Sequence, residues 1–160
     1  MSIYVDHLKG VILYTLEIME SLTEGKIKLS ENAADLLLMT AAHESLGGKY
    51  LKQVGGPALG IYGMEPTTFR SINDNYLDYR PELKRAGMSL SLNELSNPAE
   101  VIYNLVLATY MARIQYFKVP EALPDNEKGM AAYAKKYWNT EKGKATEEKY
   151  LTDYRRYINV

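Results

Sequence analysis

Cysteine is absent from the 160-residue chain, and histidine occurs only twice, at His7 and His43. The first absence excludes disulfide frameworks, thiolate metal sites and cysteine nucleophiles together, and leaves the redox compartment open. The scarcity of histidine excludes a histidine-rich metal site, so neither a metal ion nor a cofactor is expected. His43-Glu44 does not extend into His-Glu-x-x-His, because residue 47 is glycine. A Gly-x-Ser-x-Gly turn for a serine nucleophile is missing too. Charge of one sign is lacking: the formal net charge is −1 and no block of Lys and Arg stands out. Phosphate neutralisation therefore has no footing, and nucleic acid is not an expected partner. Near the N-terminus, Lys9, Glu17 and Glu20 interrupt the apolar residues before a signal-peptide core could form. No export signal and no membrane insertion are expected.

What is present is ordinary for a globular protein. Hydrophobic residues make up 46% and charged residues 24%, enough to bury a core without staples. The length predicts a single domain over residues 1–160, expected to act as a monomer. Apolar residues at 11, 12, 14, 16, 18 and 19 follow a helical period and predict a helix over 3–22. Ser30 followed by Glu31 reads as an N-cap with acidic charge in the first turn of a helix running to about Ser45, stopped by Gly47-Gly48.

Six of the 11 glycines, at 47, 48, 55, 56, 60 and 63, break the next stretch into an irregular segment with room for a short β-turn or ribbon over 59–62. Pro66 suits the first turn of another helix. Beyond it, 67–73 and 75–85 read as short helices, 99–117 as one central buried helix opened by Ser96-Asn97-Pro98, and 126–138 and 146–158 as two more. The expected class is mainly α with a short Gly-rich β or loop segment.

Chemistry concentrates at Ala42-His43-Glu44-Ser45, where a carboxylate falls in the last turn of an apolar helix facing the glycine-rich loop. The negative end of the helix dipole and apolar walls both favour the protonated acid. Such a group is what glycosidic cleavage requires as its proton donor.

With the run Gly55-Gly56-Pro57-Ala58-Leu59-Gly60-Ile61-Tyr62-Gly63-Met64-Glu65-Pro66-Thr67-Thr68, this segment resembles the lytic transglycosylase and goose-type lysozyme superfamily. Members of that superfamily pair a helix-ending Glu-Ser with a Gly-Ala-x-Gly-Leu-Met-Gln-x-Met-Pro-x-Thr loop. Glu44-Ser45 matches the first element, and Ala58, Gly60, Ile61, Pro66 and Thr68 match the second in order. The likeness is nearest to phage-encoded cell-wall hydrolases and its motifs span about a quarter of the chain. It implies a lysozyme-like fold and cleavage of the bond between N-acetylmuramic acid and N-acetylglucosamine in bacterial peptidoglycan.

Under that resemblance Glu44 protonates the glycosidic oxygen, Ser45 helps hold the acid, Gly60 lets the backbone approach the sugar, and Tyr62 is a further substrate contact. Two departures stand out: the family's Gln falls at Gly63, and its second Met at Glu65. A second carboxylate at Glu65 could hold a water or stabilise the oxocarbenium-like transition state, which leans toward hydrolysis over transglycosylation. It could equally be a helix-start carboxylate favoured by the dipole. Asp74 and Asp78 are further candidates for the same role.

Ala132-Tyr133-Ala134 matches two residues of a family Ala-Tyr-Asn element, which makes Tyr133 a candidate for orienting acid and sugar, with Tyr103, Asn104, Tyr110 and Tyr116 as alternatives. The 14 tyrosines, against two Phe and one Trp, suit either rings stacked on sugars or packing along helix surfaces. His43 reads as a helix-face residue. Residues 137–146 read as a helix end and solvated turn, with Thr146 capping the last helix; the alternative is that they border the groove. The resemblance, with no export signal, implies a phage endolysin held in the host cytoplasm until release to the wall, or a virion lysozyme. Its rivals are a transglycosylase forming anhydro-muropeptides and a non-catalytic glycan-binding or virion structural protein.

Overall fold

The computed structural model describes residues 1–139 and 143–159. It is mainly helical. Among the described residues β pairing is limited to two isolated antiparallel bridges, Lys52 with Leu59 and Leu59 with Met64. The helices are α1 (Val5–Leu22), α2 (Glu31–Ser45), α3 (Pro66–Asn75), α4 (Pro81–Leu90), α5 (Glu100–Tyr103), α6 (Leu105–Phe117), α7 (Glu127–Ala134) and α8 (Glu147–Ile158). A 3-10 turn, Leu77–Tyr79, precedes α4, and a π turn, Lys135–Asn139, extends α7. None of the described helices is long and apolar enough to cross a membrane.

The first helix buries Leu8, Ile12, Thr15, Leu16 and Met19, a spacing of three and four that keeps one face on the core. Helix α2 is different, because Ala33, Ala34 and every residue from Leu36 to Ala42 are buried. It is the central strut, packed by α1, α6, α7 and α8. The Ser30 hydroxyl accepts from Ala33 N at 3.2 Å and starts it. At the other end Leu46 adopts the left-handed conformation (φ 52°) and stops it.

Two predicted helices are corrected. The apolar stretch 99–117 is not one helix but breaks at Asn104, whose backbone (φ −102°, ψ 90°) leaves the helical region. Its Oδ1 accepts from Leu107 N at 3.0 Å and caps α6, while its Nδ2 donates to Glu100 Oε2 at 2.7 Å. A polar side chain that satisfies a new helix start outcompetes continuation of the old helix. The second correction concerns 75–85. Pro81 holds Arg80 extended (φ −137°, ψ 82°) and begins α4 itself, so the helix runs 81–90 with the 3-10 turn before it.

The tyrosine excess goes largely into the interior. Tyr62, Tyr110, Tyr116, Tyr133, Tyr150, Tyr154 and Tyr157 are all buried, half of the 14. Five of these hydroxyls, those of Tyr62, Tyr110, Tyr116, Tyr133 and Tyr157, reach fixed partners, such as Thr109 for Tyr62 at 2.9 Å and Thr40 for Tyr116 at 2.8 Å, which lets a polar ring serve as core.

Candidate active site

Glu44 lies in the last turn of α2, and the turn that follows is held open for it by short-range hydrogen bonding. The Ser45 hydroxyl donates to Ala41 O at 3.0 Å and accepts from Gly48 N at 2.9 Å. The loop then folds back over the helix end. Gln53 N donates to Ala58 O at 2.9 Å, Gly60 N to Leu51 O at 2.8 Å, and Leu59 and Met64 exchange two bonds of 2.9 Å. These pairings form a narrow double turn whose last bend, Gly60 to Gly63, closes with a 3.1 Å bond.

That bend delivers Gly63 onto the acid. Its φ is +61°, and a Cβ built there would stand 2.8 Å from Glu44 Oε2. Glycine is demanded twice, by the left-handed backbone and by the close approach. A side chain at this place, such as the amide that the resembled family carries, would have to push the Glu44 carboxyl aside.

Glu44 forms one side of a pocket of about 350 Å³. Gly63, Met64, Glu65 and Thr68 supply the wall from the loop and α3, and Gln53 and Ala58 the rim. Gln115 from α6 and Trp138 with Asn139 from the π turn complete the lining. A larger, more open hollow of about 670 Å³ at the end of α1, lined by Glu17, Glu20 and Lys28, is a surface depression away from these groups.

Burial pushes the Glu44 carboxyl up to about 7, against a nearby hydroxyl, that of Tyr150, which pulls it down. Tyr150 comes from α8 and is fully buried, and its hydroxyl completes no hydrogen bond of good geometry although it faces the Glu44 carboxyl closely enough for each to shift the other. The ring is clamped from behind by His43, stacked on it with centroids 3.9 Å apart. His43 Nδ1 in turn meets Asp153 Oδ2 at 2.9 Å, and Lys149 Nζ meets Asp153 Oδ1 at 2.7 Å. Burial holds His43 below its ordinary value, so at neutral pH its Nδ1–H donates to the carboxylate.

Glu65 is at the pocket, exposed, at the N-cap position of α3 and without a capping hydrogen bond from its side chain. Other expected contacts are corrected. Ser45 is buried, its hydroxyl is bonded to backbone, and it does not line the pocket, so it shapes the turn. Gly60 turns its Cβ side to α5, where a methyl would come within 2.6 Å of Val101 O; its glycine serves a close packing contact and not a sugar. Tyr62 is 1% exposed and bonded to Thr109, so its ring cannot stack on a ligand.

Tyr133 is buried against Tyr116 and Tyr137, and its hydroxyl donates to Glu121 O at 3.1 Å; the tyrosine beside the acid is Tyr150 instead. Asp78 pairs with Lys84 at 2.8 Å, and neither it nor Asp74 lines the pocket. Tyr103, Asn104, Tyr110 and Tyr116 likewise lie outside it.

Of the run 137–146, Trp138 and Asn139 do border the pocket, Thr146 caps α8 by accepting from Lys149 N at 3.1 Å, and Thr140, Glu141 and Lys142 lie outside the described residues. His43 is more than a helix-face residue, being the clamp behind Tyr150. Gln53, Gln115 and Tyr150 carried no motif, whereas Thr68, matched in the loop motif, does line the pocket. For Tyr150 the available signal was its place with Tyr154 and Tyr157 on one helical face. No family model, no curated protein and no solved structure matches this chain.

Proposed function

We propose that this chain cleaves the glycan strands of bacterial peptidoglycan as a muramidase, with Glu44 as the general acid, on a lysozyme-like arrangement of helices. The observation that carries the reading is a carboxyl at the end of a buried helix, raised to about 7 by its surroundings and opening on a polar pocket. A group titrating near neutrality can both hold and release a proton there. Protonation of the glycosidic oxygen by Glu44 would expel the leaving sugar, and Glu65 at the same pocket would hold a water or offset the positive charge developing on the ring. The motif likeness around Glu44-Ser45 and 58–68 supports this chemistry over other uses of a raised carboxyl. Tyr150 has the role that the likeness led us to expect of Tyr133, steadying the acid. A phage lysis enzyme or virion lysozyme is the setting that this likeness favours.

The test is digestion of purified Gram-negative peptidoglycan by the wild type and Glu44→Gln, with soluble products read by mass spectrometry. Reducing muropeptides that vanish in the variant are expected. Anhydro products would make the chain a transglycosylase and remove Glu65 from the mechanism. Absence of any product while the protein binds the sacculus would leave a glycan-binding protein.

A further inference from the structure

Three side-chain amides line the Glu44 pocket, and each has its oxygen already occupied by the protein. Gln53 Oε1 accepts from Ala58 N at 3.1 Å, Gln115 Oε1 from Lys118 Nζ at 3.1 Å, and Asn139 Oδ1 from Lys135 Nζ at 3.0 Å. A backbone N–H and two ammonium groups can only donate, so the orientation of all three amides follows from their partners. The NH2 ends are left over. Among the described residues none of them has a protein acceptor. The three come from separate elements, the loop after α2, helix α6 and the π turn after α7, and they meet only here.

Resting on the glycan-cleavage reading, we infer that Gln53, Gln115 and Asn139 form a donor lining that recognises the acetamido carbonyls of the sugar chain. A donor-rich wall selects an acceptor, and the charge pattern selects a neutral one. Glu44 and Glu65 are both at the pocket, whereas no Lys or Arg among the described residues lines it. A free carboxylate would face two carboxyl groups with no cation in the lining to pair with, while an amide carbonyl meets donors at no such cost. Trp138 adds an aromatic surface beside Asn139, suited to the acetamido methyl or a pyranose face. The lysines behind Gln115 and Asn139 polarise those amides and strengthen their N–H groups as donors. Gly63 leaves the acid no amide from its own bend, and the lining supplies amides from elsewhere.

The experiment uses the full chain carrying Glu44→Gln, so that ligand survives, and titrates it calorimetrically with an N-acetylglucosamine tetramer and with the β-1,4-linked glucose tetramer, which lacks the acetamido groups and is equally uncharged. The acetylated ligand is expected to bind more tightly. Gln53→Glu, Gln115→Glu and Asn139→Asp, which replace NH2 by an acceptor, should each erode that preference by roughly ten-fold. Gln115→Met, which deletes the polar end, should do the same, and thermal melts confirm that each variant is folded. Equal binding of the two tetramers, or a preference that survives all the substitutions, overturns the inference; muropeptide release by the wild type would then still leave glycan cleavage standing. If neither tetramer binds and peptidoglycan is neither cut nor bound, the proposed function falls and takes the lining with it.

Discussion

Gly63 and Glu44 meet backbone against carboxyl: a methyl on Gly63 would stand 2.8 Å from Oε2 and 3.2 Å from Cβ of the glutamate. The loop thus sits on the acid and sets how far its carboxyl can swing. The same loop anchors itself three residues earlier, where Gly60 presses on the Val101 carbonyl. Two glycines of one bend therefore do two jobs.

Substitution separates those jobs. Gly63→Ala should abolish most turnover, because the carboxyl must move aside, while costing about 1–2 kcal/mol of stability for the left-handed residue. Gly60→Ala adds overpacking against fixed backbone to the same strain and should cost more, roughly 2–5 kcal/mol in sum. Urea unfolding read beside muropeptide release checks the pair. Equal losses in both assays for both variants would contradict the assignment.

Glu44 should weaken the fold it serves. Its carboxyl titrates at about 7 in the folded chain against 4.5 in the unfolded one. Below 4.5 both states are protonated and nothing is lost; as pH rises between the two values the unfolded chain releases its proton first, so stability falls, and above about 7 the penalty is complete. The ceiling is about 3 kcal/mol, from about 1.4 kcal/mol per pH unit. Glu44→Gln should therefore raise the melting temperature at pH 8 and leave it nearly unchanged at pH 4. A uniform shift across pH would refute the burial of this group.

Tyr150→Phe removes a buried hydroxyl that has no well-formed partner. Stability should hold or rise slightly, since no satisfied hydrogen bond is lost. The hydroxyl lowers the proton affinity of Glu44, so its loss should move the alkaline limb of the pH–activity profile to higher pH and reduce kcat. An unchanged limb would remove Tyr150 from the acid's control.

Glu100 is fully buried and accepts from Ser91, Leu92 N, Asn93 and Asn104 at 2.7–3.1 Å. It ties the 91–95 loop, where Glu94 and Leu95 both have positive φ, to the start of α6. Burial opposes its ionisation, yet these donors win and hold it below the ordinary carboxylate value. Its stabilisation is present above the unfolded pKa and is lost as pH falls through the folded one. Glu100→Ala should cost on the order of 3 kcal/mol, measured by urea unfolding at pH 7. A loss below about 0.5 kcal/mol would show that the loop holds without it.

Period and punctuation were enough to read the helices from Ser30 to Ser45 and from Thr146 onward, because Ser30 and Thr146 use local hydrogen bonds that a chain segment carries with it. The helix-end position of Glu44 was legible for the same reason, and the loop glycines announced an irregular backbone. The break at Asn104 was not legible, since its amide chooses capping only once Glu100 and Leu90 are in place to receive its Nδ2. Nor was the partner of the acid. Tyr133 and Tyr150 are equally ordinary as residues, and only the packing of α8 against α2 turned one toward Glu44 and buried the other against Glu121. Local sequence decides what neighbours in the chain can satisfy; which of several tyrosines faces a carboxyl a hundred residues away is decided by the packing of whole helices, where no short-range pattern reaches.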